Sequence, residues 1–192
     1  PVSWSDNWQE DGIWDLNGNV YEWQGAYRTV NGEIQIIPDN NAAKQINQSA
    51  TSTLWKAIMP DGSLVDPGTP GTLKWDYLAA PTTDAAFRLN TTIEFPQADD
   101  TPYGSMSFSA LTAAAGVNVP EILKVLCLFP NDPGGDYGGD RVYMRNNGER
   151  LAFRGGAWYL TSSAGVFYMY GINPRSYVNT NLGFRSAYIP GI

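Results

Sequence analysis

The sequence predicts an α+β fold with short antiparallel strands, two short helices and long loops. Asn-Gly pairs stand beside strand-like runs at 17–18 and 31–32. Two short segments, at 105–116 and 119–129, carry helix signals. Glycine (20 residues) and proline (13 residues) interrupt the chain throughout, which is typical of a domain rich in turns and loops.

The first predicted elements are an Asn-Gly turn and a strand in the run VYEWQGAYRTV. Asn31-Gly32 separates this run from the apolar run EIQII. An Asn-Gly pair between two strand-like runs is a strong signal for a two-residue hairpin turn. We therefore expect an antiparallel hairpin near the amino terminus.

Residues 38–104 are polar in many places and broken by proline and glycine, as in PDNNAAKQINQSATS and MPDGSLVDPGTPGT. Such clusters are typical of loops. A chain of 192 residues can bury one sizeable core. We therefore predict a single domain over residues 1–192, with a loop-rich insertion around 38–104.

Two short helices are predicted after the insertion. The segment SMSFSALTAAAG ends at Gly116, and VPEILKVLCLF has Pro120 at its first position and Glu121 in its first turn. The run RVYMRNNGERLAFRGG then predicts a second hairpin, and LGFRSAYI predicts a closing strand.

Composition excludes several classes of function. The net charge of -7 is unfavourable for phosphate backbones and anionic lipids, so we expect no nucleic-acid partner. No apolar run approaches the roughly 20 residues of a membrane span, so we expect a soluble domain without membrane insertion. The chain has no histidine and one cysteine, Cys127, which excludes Ser-His and Cys-His catalysis and an intrachain disulfide.

Three segments with recognisable patterns occur in order: DLNGNVYEW at 15–23, FRGGAW at 153–158 and GFRSA at 183–187. Together they resemble the formylglycine-generating-enzyme type of C-type lectin fold, in which D-x-x-GNV-x-EW, RGG-x-W and a terminal GFR recur. The resemblance implies a C-type lectin-like fold. It does not carry over the oxidation of a substrate cysteine, because those enzymes use a cysteine pair and copper, whereas this chain has one cysteine.

The carboxy-terminal segment, 154–192, resembles one branch of that superfamily more closely: the variable proteins of diversity-generating retroelements. The chain keeps the fixed letters of their RGG-N-W-NN-x-x-N-AGVF-x-x-N-x-NN-PRS-N-x-N-x-N-x-GFR pattern. In that family adenines are the mutated bases, so an AAC codon at an Asn letter can become any codon of the form NNC. Ten residues occupy the Asn letters and are called the variable positions below: Ala157, Tyr159, Leu160, Ser163, Tyr170, Ile172, Asn173, Tyr177, Asn179 and Asn181.

All ten residues obey the codon rule, because Ala, Tyr, Leu, Ser, Ile and Asn each have a codon of the form NNC. Lys, Glu, Gln, Trp and Met have none. The 4 Lys, 6 Glu and 6 Gln of the chain all precede residue 155, and none follows it. The composition of the segment therefore agrees with the resemblance.

The side chains at these positions are typical of binding loops. Tyrosine offers a large rigid contact with a hydroxyl, and Ser and Asn offer small adaptable hydrogen-bonding groups. We expect the ten side chains to point outward together from a stiff scaffold, with Tyr159, Tyr170 and Tyr177 as aromatic anchors.

The fixed letters are expected to form the scaffold. Trp158, Val166 and Phe167 are predicted to lie in the core. Gly155 and Gly156 allow close backbone approach or a positive φ. Two arginines of the fixed pattern are expected to tie loop carbonyls or carboxylates with forked hydrogen bonds. These arginines are Arg154 and Arg185.

The resemblance implies a hypervariable binding protein, not an enzyme, on a phage tail-fibre tip or a bacterial surface. Its partner would be a protein or glycan receptor on a cell surface, and a fibre tip often implies a homotrimer. No cofactor is expected.

Two alternatives remain at the level of sequence. One is a calcium-dependent carbohydrate-binding lectin, since Asp132, Asp136 and Asp140 in NDPGGDYGGD supply hard oxygen ligands. The EPN, QPD and WND motifs of sugar-binding C-type lectins are absent, however, and a solvated acidic turn is the other interpretation of this loop. The second alternative is a formylglycine-generating-type enzyme.

Overall fold

The computed structural model describes residues 3, 5, 7–14, 16 and 18–184, and it contains the predicted amino-terminal hairpin. Strand β1 (Tyr21–Val30) pairs antiparallel with β2 (Glu33–Ile36). The turn residues have positive φ, 48° at Asn31 and 79° at Gly32, which is the conformation that matches the twist of a tight hairpin.

One mixed sheet of twelve strands organises the described residues. The other strands are β3 (Lys56–Ile58), β4 (Leu64–Val65), β5 (Lys74–Tyr77), β6 (Thr83–Ala85), β7 (Phe87–Asn90), β8 (Tyr103–Ser107), β9 (Arg141–Met144), β10 (Glu149–Arg154), β11 (Met169–Asn173) and β12 (Leu182–Gly183). The main path is β4-β3-β2-β1-β10-β11-β9-β8-β6, while β5 pairs with β2 and β7, and β12 pairs with β1.

Helices are few and short. The structure has one α-helix, α1 (Glu121–Val125), and 3-10 turns at Asn41–Ala43, Phe108–Ala110 and Thr161–Ser163 among the described residues. The domain is therefore β-rich, with less helix than the predicted α+β class implies. None of the helices described has the length and apolar character needed to span a bilayer.

The prediction of a helix over 105–116 is wrong. The first three of these residues belong to β8 and pair with β9, with Met106 opposite Val142. Strand pairing overrides the helix signal here, because Val142 is fully buried and Met106 packs against the same core. The other predicted helix exists as α1, and it ends early because Cys127 takes a positive φ of 52°.

The predicted second hairpin is also wrong. Within the described residues β11 lies between β9 and β10, parallel to β9 and antiparallel to β10. This strand can occupy a central place because both of its faces are covered: Met169 packs in the main core, and Tyr170 packs in an aromatic cluster on the other face. Part of the variable segment is thus a central strand.

Residues 38–104 carry more regular structure than a loop-rich insertion implies. Strands β3 to β7 lie in this segment and join the common sheet. Several of their side chains, Trp75 and Phe87 among them, are buried in the main core. The strands have two to four residues each, which is too short for a clear alternating pattern in the sequence.

A second, smaller hydrophobic cluster lies beside the variable segment, and we call it the tyrosine cluster. Its buried members are Tyr21, Phe153, Ala157 and Tyr168. Partly buried residues packed against it are Trp23, Tyr143, Leu160, Tyr170, Tyr177 and Leu182.

Candidate ligand-binding surface

The first and second of the three patterned segments lie side by side. The Gly18 N–H donates to the carbonyl oxygen of Gly155 at 2.8 Å, and the Trp158 N–H donates to the carbonyl oxygen of Asn19 at 3.0 Å. These bonds join backbone groups, so they do not depend on which side chains the variable positions carry.

The third segment joins the same assembly through β12. This strand runs parallel to the start of β1, with Tyr21 opposite Leu182. The Tyr21 N–H also donates to the carbonyl oxygen of Asn181 at 2.9 Å. Asp15 of the first segment and Arg185 of the third lie outside the described residues.

The paired glycines confirm the expected need for positive φ and close approach. Gly155 and Gly156 have φ of 78° and 72°. A Cβ on Gly156 would lie 2.6 Å from the Cβ of Ala164, so no other residue fits without displacing that loop. The two glycines therefore set the course of the chain as it leaves β10.

Arg154 has the expected structural role. Its Nε donates to Oε1 of Gln24 at 2.8 Å, and its Nη2 donates to the carbonyl oxygen of Leu126 at 3.3 Å. Burial lowers the pKa of this guanidinium, although arginine stays charged at neutral pH. The side chain thus links the end of β10 to β1 and to the residue that follows α1.

Tyr159 is half-exposed at the edge of the tyrosine cluster. Its ring lies edge-on to that of Tyr21, with centroids 6.3 Å apart, and the two hydroxyls are 3.2 Å apart. Its hydroxyl also accepts a hydrogen bond from Nδ2 of Asn181 at 2.9 Å. Two variable positions that are 22 residues apart are therefore in direct contact.

Tyr170 is partly buried and forms the floor of the surface. Its ring centroid lies 4.9 Å from that of Tyr143, 5.8 Å from that of Tyr21 and 6.1 Å from that of Phe153. Burial, with the neighbouring phenols, raises the pKa of Tyr170 to about 12.

Tyr177 connects the loop after β11 to the same cluster. Its ring centroid is 5.7 Å from that of Phe153, and its hydroxyl accepts a hydrogen bond from Nδ2 of Asn179 at 2.8 Å. Asn179 is exposed, whereas Tyr177 is partly buried. This pair repeats the arrangement of Tyr159 with Asn181: a phenol against the cluster, with an asparagine amide on its hydroxyl.

Tyr168 is a central member of the cluster that the pattern did not identify. Its side chain is 1% exposed, and its ring is stacked parallel to that of Tyr170 at 6.4 Å. Burial raises the pKa of Tyr168 well above its ordinary value. Tyr168 directly precedes β11, and its spacing of two from Tyr170, which places both rings on the same side of an extended chain, was the available sequence signal.

The expectation that all ten variable side chains point outward is wrong for three of them. Ala157 is 1% exposed, Ile172 is 5% exposed and Asn173 is 7% exposed. Ala157 is inside the tyrosine cluster, and the other two lie in the central strand β11. The Nδ2 of Asn173 is buried and has no hydrogen-bond partner.

The expectation that the fixed aromatic and aliphatic residues lie in the core holds for one of three. Phe167 packs against the main core, with its ring centroid 5.1 Å from that of Phe108. Trp158 is 74% exposed and Val166 is 52% exposed. Trp158 is exposed for a local reason. The side chain of Ala157 faces the cluster, so that of Trp158, the next residue, faces the solvent.

Seven of the ten variable positions meet at the tyrosine cluster: six are in it or in contact with one of its rings or hydroxyls, and Asn181 reaches it through the Tyr159 hydroxyl and a backbone bond with Tyr21. They are Ala157, Tyr159, Leu160, Tyr170, Tyr177, Asn179 and Asn181. The other three are Ser163, which is partly buried at the end of a 3-10 turn, and the buried pair in β11.

Asp140, one of the three aspartates considered as calcium ligands, supports the backbone of the variable segment. Its carboxylate is buried and accepts the Phe167 N–H at 2.8 Å. Burial raises the pKa of this carboxyl. Asp132 and Asp136 are exposed, and no group of three or more His, Cys, Asp or Glu in the described chain is placed to hold a metal ion.

Arg175 anchors the loop that carries Tyr177 and Asn179. Its Nε and Nη2 donate to the two carboxylate oxygens of Glu149, at 3.1 and 2.8 Å. Glu149 also accepts from Arg28 at 2.8 Å. These two arginines lower the pKa of the Glu149 carboxyl against the opposing effect of burial. The forked pair fixes the loop to the edge of β10.

A cavity of about 470 Å³ lies away from this surface and contains none of the variable positions; Tyr27, Ile36 and Leu128 are among its lining residues. Comparison with known proteins does not identify the chain: no family model matches it, and no curated protein has significant similarity to it. Its function must therefore be inferred from the residues and the geometry of the surface.

Proposed function

We propose that the chain is a hypervariable binding protein of a diversity-generating retroelement, with exchangeable side chains displayed on a C-type lectin-like scaffold. The observation that carries this proposal is the convergence of seven variable positions on the tyrosine cluster. These positions come from the loop before the 3-10 turn, from β11 and from the loop after β11. A random set of loop residues has no reason to share one cluster.

The division between anchors and variable side chains supports the proposal. The anchors are made by fixed letters of the pattern or by backbone groups. Gly156 packs closely on Ala164, the Phe167 N–H donates to the Asp140 carboxylate, and Arg175 pairs with Glu149. Exchange at Tyr159 or Asn179 leaves all of these interactions in place. Surface substitutions away from such anchors typically change stability by less than about 0.5 kcal/mol.

The chemistry of the surface fits recognition of a partner. Within 157–181 the one charged side chain is Arg175, and it is paired with Glu149. The remaining groups are phenols, amides, hydroxyls and apolar side chains, which resemble the contact residues of antibody-type loops. We propose a receptor on a cell surface as the partner, with the domain displayed on a phage tail-fibre tip, as a homotrimer, or on a bacterial surface.

The direct test is the DNA around the coding sequence. The proposal predicts a near-copy of the codons for residues 154–185, with adenines at the codons of the ten variable positions, beside a reverse-transcriptase gene. Adenine differences scattered evenly over fixed and variable codons, or the lack of any near-copy, would contradict it.

A protein-level test uses replacement of several variable positions together. A variant with Tyr159, Leu160, Asn179 and Asn181 all changed to Ser should keep a cooperative thermal transition. The matched control changes the fixed anchor Arg175 to Ser. If the fourfold variant unfolds while the control is stable, the surface is part of the structural core and the proposal fails.

A further inference from the structure

Trp158 is a fixed letter of the variable segment, yet it lies on the surface. Its side chain is 74% exposed, although tryptophan usually buries most of its large apolar surface. It lies between Ala157, inside the tyrosine cluster, and Tyr159, at the edge of that cluster. An indole in this place stands beside the variable side chains and contributes little to the core.

The backbone at Trp158 is held by a fixed partner. The backbone N–H of Trp158 donates to the carbonyl oxygen of Asn19, and the indole ring lies edge-on to that of Tyr159, with centroids 5.4 Å apart at 85°. The hydroxyl of Tyr159 is in turn held by Tyr21 and Asn181. A tryptophan side chain has only two rotatable bonds, so it loses little conformational entropy when a partner covers it and is well suited to binding.

Mutation that is limited to adenine bases cannot alter this residue. Tryptophan has one codon, TGG, which contains no adenine, whereas each neighbouring variable position has a codon of the form NNC. Under the proposed function, on which this inference rests, every variant presents the same indole surrounded by different side chains.

The exposed apolar residues of the segment favour one class of partner. Val178 is 86% exposed between the variable positions Tyr177 and Asn179, and Val166 is 52% exposed in the loop before β11. A neutral sugar uses an aromatic face and hydrogen-bonding groups but gains little from an aliphatic side chain. A protein surface can bury aliphatic and aromatic groups together.

We infer that Trp158 is a constant contact residue of the binding surface, and that the partner is a protein with an apolar site for the indole. The variable positions around it then select which protein is bound. Large aromatic residues at the centre of an interface typically carry a large share of the affinity.

The test uses the full chain with Tyr159, Leu160, Tyr177, Asn179 and Asn181 encoded by NNC codons in a displayed library. The library is selected separately on lysozyme, as a protein probe, and on dextran, as a neutral polysaccharide probe. Trp158→Ser is then introduced into each selected binder. Trp8→Ser serves as the matched control, because Trp8 is an exposed tryptophan, at 66%, outside the variable segment.

Lysozyme binders are expected, and Trp158→Ser should raise their Kd by about thirtyfold or more, while Trp8→Ser changes it less than about twofold. The melting temperature of Trp158→Ser should stay within a few degrees of the parent, since the indole is exposed. Trp158→Phe should recover part of the lost affinity.

Three outcomes overturn the inference in distinguishable ways. If lysozyme binders depend on the variable positions but tolerate Trp158→Ser, then Trp158 is not a constant contact residue, and the proposed function is unaffected. Binders to dextran alone overturn the protein class of the partner. A library that yields no binder to either probe overturns the proposed function, and this inference with it.

Discussion

The variable positions lie in two structural settings, loops and a strand. In the loops, Tyr159 and Asn179 are exposed, and each shares a hydrogen bond with another variable side chain, while Tyr159 also contacts Tyr21. In β11, Ile172 and Asn173 are buried and Tyr170 is partly buried between aromatic rings. The same pattern letter therefore occurs in two environments: exchange at an exposed loop position changes the surface, and exchange at a buried position, in β11 or at Ala157, changes the packing beneath the surface.

This difference suggests that the two settings contribute unequally to useful diversity. An exposed loop position can accept Ser, Asn or Tyr at little cost, because few packed contacts depend on its side chain. A position in β11 must fit a packed interior, where a change of even one methylene is felt. Variants that keep function should thus be more diverse in the loops than in β11.

The largest effect is expected at Tyr170. Tyr170→Ala should lower the free energy of unfolding by about 3 kcal/mol, because it removes a ring packed against Tyr143, Phe153 and Tyr21. Tyr159→Ala should cost about 1 kcal/mol, since half of its surface is exposed. Urea unfolding of both variants measures the difference, and equal losses would break the distinction between strand and loop.

Arg175→Ala should have a smaller effect that is confined to the loop after β11. Loss of the forked pair with Glu149 should cost about 1 kcal/mol, because both partners are partly exposed and screened by solvent. Amide hydrogen exchange should rise at 176–181 while β11 keeps its protection. A parallel measurement in about 1 M salt should shrink the difference, since screening weakens the pair in the parent as well. Uniform loss of protection across the sheet would show that Arg175 supports the core and not the loop alone.

The alkaline stability of the domain probes the floor of the surface. Burial raises the pKa of Tyr170 from 10.0 to about 12, so the folded state holds the phenol proton more tightly than the unfolded state. Its contribution is fully present below pH 10 and is lost as the pH rises towards 12. Tyr170→Phe keeps the ring and has no proton to lose, so its unfolding free energy should fall less over this range. If the unfolding free energies of the parent and the variant fall in parallel over this pH range, burial does not raise the pKa of Tyr170 and the prediction is wrong.

Turn chemistry was the part of the fold that the sequence predicted well. The Asn31-Gly32 hairpin and the positive φ of Gly155 and Gly156 are local requirements, and the residue types themselves report them. The place of β11 between β9 and β10 was not predictable from local patterns, because it depends on pairing between residues far apart in the chain.

The pattern of variable letters identified positions that meet in space, but it did not report which way each side chain points. Ala157 faces the cluster and Trp158 faces solvent, a difference of one residue that no codon rule contains. The period-two spacing of Tyr168 and Tyr170 was the available signal for a strand face. The orientation of Asp140 was unpredictable for a similar reason, since its carboxylate is directed to the backbone at Phe167 rather than to its acidic neighbours.

Asn173 offers a smaller effect of opposite sign. Its Nδ2 is buried without a hydrogen-bond partner, and such a group costs free energy in the folded state. Asn173→Leu, which an NNC codon also reaches, should raise the free energy of unfolding by up to about 1 kcal/mol. The matched control is Asn179→Leu at an exposed loop position, which should give no gain. A loss of stability in Asn173→Leu would mean that the amide has a partner that the apolar side chain cannot replace.

The smallest effect on stability is expected at Asn179. It gives the clearest contrast between an exposed loop position and the packed position of Tyr170 in β11. Asn179→Ser removes the amide that donates to the Tyr177 hydroxyl, yet both groups can bond to water instead, so stability should change by less than about 0.5 kcal/mol. The same substitution should alter binding in any library member selected with Asn at this position, because its amide lies on the exposed face. Thermal unfolding and probe affinity, measured on one set of variants, test both halves. A change in melting temperature as large as that of Tyr170→Ala would place Asn179 in the support and remove the physical basis for treating the loops as the exchangeable part of the molecule.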